Sequence, residues 1–357
     1  MTVSFDGIDI DLIKKLPKTD LHVHLDGCLR IDTILDLAKQ QGIQLPEENP
    51  LKLRKILEVG DNCQSLVEYL RGFETTLSVL QESEALTRSA YELAEDAAQE
   101  NVRYLEIRFS PILHTKHGLR LTEILDSVII GLKKAEQNFH IKTGIIICGI
   151  RSIDPQISIT LAELASAYKY RGVVGFDLAG VEENFPAKDH QQAFFLILKN
   201  NINVTIHAGE AYGPESIHQA VHYCGAHRIG HGTRLKEDGD LLNYVNDHRI
   251  PLEICISSNV QTKAAPSYKY HPVKFYHDYG LRVTLNTDNR LMSNTSVTKE
   301  YCLAMKFYDF NLDDIKEIIV NGFKSTFLPL REKAQMLKDV NEELQQITGS
   351  APSIIRE

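Results

Sequence analysis

The sequence predicts an α/β protein in which parallel strands alternate with helices, and three observations carry that reading. Short β-rich runs recur along the chain, longer stretches of helical character separate them, and chemically capable polar residues collect just past several of the runs. Eight runs qualify: 20–24, 102–109, 142–148, 173–178, 203–207, 228–230, 251–256 and 281–286. Eight parallel strands with intervening helices argue for a closed (β/α)8 barrel, whose chemistry gathers at the C-terminal ends of its strands.

The first run reads Asp20-Leu21-His22-Val23-His24. Side chains alternate faces along a strand, so His22 and His24 point the same way from successive inward positions. Two convergent imidazoles suit a divalent transition metal, although a buried pair satisfied by hydrogen bonds would look the same. Residues 25–101 then separate the first run from the second, far more than a crossover needs, so extra helices are expected at about 30–100. There Leu66, Tyr69, Leu70 and Phe73 fall at i, i+3, i+4 and i+7, one apolar face of a helix, which from pattern alone is that of an ordinary core helix. The fourth run leads into Asp177-Leu178-Ala179-Gly180, the fifth into His207-Ala208-Gly209-Glu210, the sixth into His231-Gly232-Thr233 and the eighth into Thr287-Asp288-Asn289. From Leu312 onward the chain reads as helices: Asp313-Asp314 begins one, and 331–346 is amphipathic and charged. No repeat, low-complexity segment or linker divides the chain, so residues 1–357 are expected to form one elaborated barrel domain.

Bulk properties narrow the function. A 43% hydrophobic content supports a substantial core, and a net charge of −9 without any basic run excludes polymeric nucleic acid as a partner. A small-molecule substrate fits better. The opening residues lack a basic region followed by an apolar one, and no uninterrupted apolar stretch reaches membrane-spanning length, so the expected location is cytoplasmic, away from any membrane. The six cysteines lie far apart with no Cys-x-x-Cys pair and read as reduced thiols without chemistry. Nothing in the sequence specifies an oligomeric state.

In a barrel the strand ends ring one mouth, which makes neighbours of four motifs distant in sequence. Three imidazoles from His22, His24 and His207 with the carboxylate of Asp288 make a plausible zinc site with room for water, whose pKa the metal would lower toward neutrality. Glu210 lies close enough to hand a proton to a reacting ring, and His231 is a second titratable group available as base or electrostatic partner. Glycines 175, 180, 209, 230 and 232 would let a flat substrate approach the backbone. Taken singly, His231 could be a turn residue, Asp288 a helix N-cap and Glu210 a solvated loop charge. It is their common placement at strand ends that points to a site.

At these residues the sequence resembles the adenosine deaminase family of metal-dependent hydrolases, nearly end to end. The resemblance is carried by 18–27 (KTDLHVHLDG), 175–180 (GFDLAG), 207–210 (HAGE), 228–232 (RIGHG), 252–255 (LEIC) with 257–259 (SSN), and 285–288 (LNTD). It implies one zinc ion per chain, bound by His22, His24, His207 and Asp288. It further implies that Glu210 protonates N1 of the purine, that His231 orients or helps deprotonate the attacking water and steadies the alkoxide, and that Asp177 orients a ligand or the water network. Substrate contacts would come from the backbone N–H of Gly180 to purine N3, from Asp26 to the ribose 5′-hydroxyl, and from the face of Leu66, Tyr69, Leu70 and Phe73, which becomes an apolar gate over the sugar. Many members carry a second aspartate where this chain has Asn289; purine N7 only accepts hydrogen bonds, so an Asn amide can donate to it directly. Cys28, after the Asp26-Gly27 pair, has no role in this scheme.

The resulting expectation is hydrolysis of adenosine and 2′-deoxyadenosine to inosine and 2′-deoxyinosine, a step of purine salvage. Alternatives keep the chemistry on adenine or on a 5′-modified nucleoside such as aminodeoxyfutalosine or methylthioadenosine; the Asp26 carboxylate disfavours AMP by repelling its phosphate. A non-catalytic binder of nucleosides or proteins would not need metal ligands, acid and base together. A two-metal hydrolase would want a carbamylated lysine at the end of the fourth strand, where the chain has none.

Overall fold

The computed structural model describes residues 4–60, 63, 69 and 72–350. All eight expected strands are present: β1 (Lys18–His24), β2 (Val102–Phe109), β3 (Lys142–Ile150), β4 (Val173–Ala179), β5 (Asn203–Ala208), β6 (Arg228–His231), β7 (Leu252–Ile254) and β8 (Val283–Leu285). Each pairs in parallel with the next in chain order.

The seam between last and first strand closes just beyond β8. Val23 forms a parallel bridge with Asp288; the His24 N–H donates to the Asp288 carbonyl and the Asp288 N–H to the His22 carbonyl, each at 2.7 Å. Side chains reinforce this seam: Asn286 Oδ1 accepts the Leu21 N–H at 2.8 Å, and the Asp20 carboxylate accepts the Thr287 hydroxyl at 2.5 Å. Because helices cover the outside while side chains fill the inside, strand residues are buried on both faces, as at Ile145, Ile146 and Ile147 of β3.

Between β1 and β2 the extra helices fall where expected, at Ile31–Gln41, Pro50–Leu57, Phe73–Val79 and Ser83–Gln99. Local chemistry sets their ends: Gly42 adopts φ +67° past the first, and Asn49 accepts N–H groups of Leu51 and Lys52 at the start of the second. Leu66 and Leu70 lie outside the described residues. The tail forms helices Leu312–Ser325 and Leu330–Thr348; Asn311, two residues before the expected acidic start, caps the first of these, which packs against β8 and β1.

Two differences from the sequence reading have physical causes. A helix at Ile10–Lys15 precedes β1, capped by Asp9 and closed by the buried Lys18 ammonium, which donates to the carbonyls of Ile13, Lys14 and Leu16. β7 and β8 are each half the expected run; after β7 the chain turns at Cys255 into a helix, Ile256–Gln261. Among the described residues no helix is long and apolar enough to cross a membrane.

Candidate active site

The strand ends bring His22, His24, His207 and Asp288 together, with one potential ligand atom from each inside a 4.8 Å sphere of mutual distances. β1 supplies the first two, β5 the third, and the seam residue Asp288 the fourth. Asp288 adopts φ +60° and His231, at the end of β6, φ +63°, a left-handed backbone that costs energy for residues other than glycine and concentrates at functional sites. Asp288 is therefore no helix N-cap; Ser296 caps the next helix.

Two imidazoles are fixed from behind. His22 Nδ1–H donates to Glu253 Oε2 at 2.8 Å and His207 Nδ1–H to Asp177 Oδ2 at 3.0 Å, so in each neutral ring the Nε2 lone pair faces the cluster. Those Nε2 atoms lie 3.0 Å apart, with His24 Nε2 at 3.1 Å from that of His207. Lone pairs at such a distance repel, and a shared cation is what relieves them. Burial opposes protonation at all three: it brings His22 down to about 4 and His24 well below the ordinary imidazole value, while at His207 the Asp177 carboxylate outweighs it and nets a rise. Burial alone would raise Asp288, yet the His22 hydrogen bond and the surrounding rings hold its carboxyl well below the usual range.

Beneath the cluster runs a charged ladder. Arg108 donates to Asp177 at 3.0 Å and to Glu253 at 2.8 Å; Arg228 donates to Glu253 at 2.6 Å and to Glu106 at 2.5 Å. Three carboxylates against two guanidinium groups leave one net negative charge, and Asp288 adds a second, the amount a divalent cation neutralises. Donor set and charge both fit zinc.

Glu210 is buried rather than solvated, and burial pushes its carboxyl upward. Its Oε1 accepts the Thr262 hydroxyl at 2.9 Å, and its Oε2 stands 3.6 Å from His231 Nε2. Glu182 holds the Glu210 loop by accepting the N–H groups of Gly209, Glu210 and Ala211 at 3.0, 2.8 and 3.1 Å.

These groups open into a cavity of about 250 Å³ lined also by Asp26, Tyr69, Phe73, Gly180 and Asn289, together with Leu77, Leu113, Ile150 and Ser152, which sequence reading missed. Among the described residues no Lys or Arg lines it. Asp26 Oδ1 and Asn289 Oδ1 are buried without a hydrogen-bond partner among the described residues, and burial pushes the Asp26 carboxyl up to about 7. Of the five glycines expected to admit a flat substrate, Gly180 lines the cavity, at φ +101°. Gly230 instead makes room for the His22 ring, since a Cβ there would sit 3.1 Å from His22 Cε1. Cys28 gains a structural partner: its Sγ accepts the Arg290 N–H at 3.2 Å.

Arg108, Glu253 and Glu182 were missed as site-supporting residues. Glu106, Arg108 and Glu253 are charged positions inside apolar strand runs, which is the signal that could have marked them.

A family model described as adenosine deaminase matches residues 17–343. A "Probable adenosine deaminase" of Dictyostelium discoideum is 45% identical over 321 residues, which make up 90% of this chain but 42% of that protein, so the chain spans less than half of that relative. An "Adenosine deaminase" of Clostridium kluyveri is 41% identical over 316 residues, 88% of this chain and 91% of that one. The crystal structure of an adenine deaminase from Arthrobacter aurescens superposes with a TM-score of 0.86 at 26% identity, over 92% of this chain and 99% of that chain.

Proposed function

The chain belongs to the adenosine deaminase family, and from that premise we propose that it hydrolyses adenosine and 2′-deoxyadenosine to inosine and 2′-deoxyinosine, releasing ammonia, with one zinc ion per chain. One observation carries the reading: a single cavity joins the four-ligand cluster, the buried acid Glu210 and the unpartnered Asp26.

His22, His24, His207 and Asp288 would hold the zinc, whose Lewis acidity makes a water nucleophilic near neutral pH. Glu210, whose carboxyl burial shifts upward, donates a proton to purine N1 and so makes C6 electrophilic. His231 orients the attacking water and steadies the oxygen that forms at C6. Asp177 and Glu253 keep two ligand rings aimed. The Gly180 N–H addresses purine N3, the Asn289 amide N7, and Asp26 the 5′-hydroxyl. Tyr69 and Phe73 cover the sugar side; Leu66 and Leu70 would complete that face.

The sugar-side lining favours a nucleoside over free adenine, and among the described residues no lining cation would meet a phosphate, which disfavours a nucleotide. Insertion and tail serve the same barrel domain. Among the described residues no disulfide forms, which suits a reducing cytoplasm.

Ammonia release by the zinc-loaded protein, measured over adenosine, 2′-deoxyadenosine, adenine, AMP, methylthioadenosine and aminodeoxyfutalosine, tests the reading. Adenosine and its deoxy form should turn over fastest, and Glu210→Gln should slow them by roughly 10²–10⁴-fold with zinc retained. A better rate with adenine or a 5′-modified nucleoside would replace the substrate; no turnover at all would sink the reaction.

A further inference from the structure

Behind His231 runs a hydrogen-bond chain whose direction a backbone amide dictates. The Val273 N–H donates to His271 Nδ1 at 3.1 Å. A backbone N–H can only donate, so His271 Nδ1 is the bare nitrogen and its proton sits on Nε2. That Nε2–H donates to Asn259 Oδ1 at 3.0 Å, which turns the amide nitrogen toward His231; Asn259 Nδ2 donates to His231 Nδ1 at 2.9 Å. Since His231 Nδ1 accepts, the proton of the neutral ring is carried on Nε2, the nitrogen facing Glu210 and the metal cluster. All three side chains are buried, so water does not compete for these bonds. Burial brings His271 down to about 3, so it carries one ring proton and the chain has one direction.

We propose that Asn259 and His271 are positioning residues that set the tautomer of His231, so that it presents an N–H donor, rather than a lone pair, to the oxygen at the reacting centre. Neither residue lines the cavity, and neither touches the metal ligands through a hydrogen bond. They act through His231 alone. The donor orientation gives His231 a defined part: it stabilises developing negative charge on oxygen and holds the water in line. Reversing the chain would put a lone pair against that oxygen, a repulsive contact. The inference rests on the proposed deaminase site, but its direct readout does not need turnover.

That readout is the ring ¹⁵N spectrum of zinc-loaded protein labelled in histidine, with His231 assigned by comparison with His231→Gln. The wild-type protein should show a protonated Nε2 and a bare Nδ1 at His231. Asn259→Asp replaces a donor with an acceptor of the same shape; it should move the proton to Nδ1 and cut kcat by about 10–100-fold, leaving KM and zinc content little changed. His271→Gln, which can both accept from Val273 and donate to Asn259, should keep most of the turnover that His271→Leu loses. A wild-type His231 protonated on Nδ1 overturns the proposal, as does an Asn259→Asp enzyme with unchanged tautomer and kcat. If Asn259→Asp fails to fold, the wild-type spectrum and the His271 pair still decide. A protein that deaminates none of the nucleosides sinks the substrate reading while the spectrum still judges the tautomer.

Discussion

Polar residues fill this barrel at two levels, and the levels face opposite electrostatic problems. At the rim, the ε-nitrogens of His22 and His24 crowd to 3.0 and 3.1 Å of that of His207. One level down, Arg108, Arg228, Asp177, Glu253 and Glu106 are charged and paired, with contacts of 2.5–3.0 Å. The rim withholds hydrogen-bond partners so that an ion can be the partner. The ladder provides them so that charges can live where water cannot reach. The contrast teaches that the rim is arranged for binding at the expense of internal satisfaction, and that the ladder transmits aim to it through two contacts, Asp177 to His207 and Glu253 to His22.

If that division is right, removing a rim ligand should destroy function and spare the fold. Asp288→Ala is expected to lose zinc and to lower kcat/KM by about 10⁴-fold or more, since the nucleophile is no longer activated; metal analysis beside an ammonia assay would show it. A ladder substitution should do the reverse. Arg108→Met leaves Asp177 and Glu253 short of their shared partner in a dry interior, so unfolding stability should fall by roughly 3–5 kcal/mol in denaturant titrations. An unchanged midpoint would erase the distinction between the levels. Glu253→Gln sits on the boundary: an amide oxygen still accepts from His22 but no longer polarises it, and zinc affinity should weaken about 10–100-fold in a chelator competition.

The smallest effect uses an imidazole outside both levels. Burial lowers His114 to about 4 from 6.5, while its Nδ1 lies 2.9 Å from the Leu80 carbonyl. Its folded pKa is below the unfolded one, so its contribution is complete above 6.5 and is lost as pH falls toward 4. Between pH 7 and 5 that is about 2 kcal/mol, and His114→Gln should flatten the pH–stability curve by that share. An identical slope in the variant would mean that the imidazole titrates alike in the folded and unfolded chain.

The sequence revealed the rim and, of the ladder, only Asp177. His22 and His24 are two apart on a strand, and Glu210 is three past His207, so their relation shows in one dimension. Arg108, Asp177 and Glu253 meet only because β2, β4 and β7 surround one axis, and no spacing encodes that. Asn259 was legible as part of a motif but not as a contact, since it becomes useful only when the chain leaves β7 and folds into a helix beside His271. Strand positions were readable because each apolar run falls on a strand, although only half of the run at β7 and at β8 is strand. The N-terminal helix at Ile10–Lys15 escaped notice because it is short and its C-terminal closure comes from Lys18, a charged side chain inside β1.

The seam carries a consequence for how the protein is made. Strands β2 to β8 can each be added to a neighbour already synthesised, but the partner that completes the free edge of β1 is the last strand, with Leu21 and Asn286 lying 265 residues apart. A nascent chain leaving the ribosome therefore holds His22 and His24 long before Asp288 exists to join them. The centre cannot be assembled piecemeal during translation. Its completion coincides with closure of the longest loop in the barrel, the event with the greatest chain-entropy penalty, and an ion bridging first and last strand acts on that final step rather than on any earlier one.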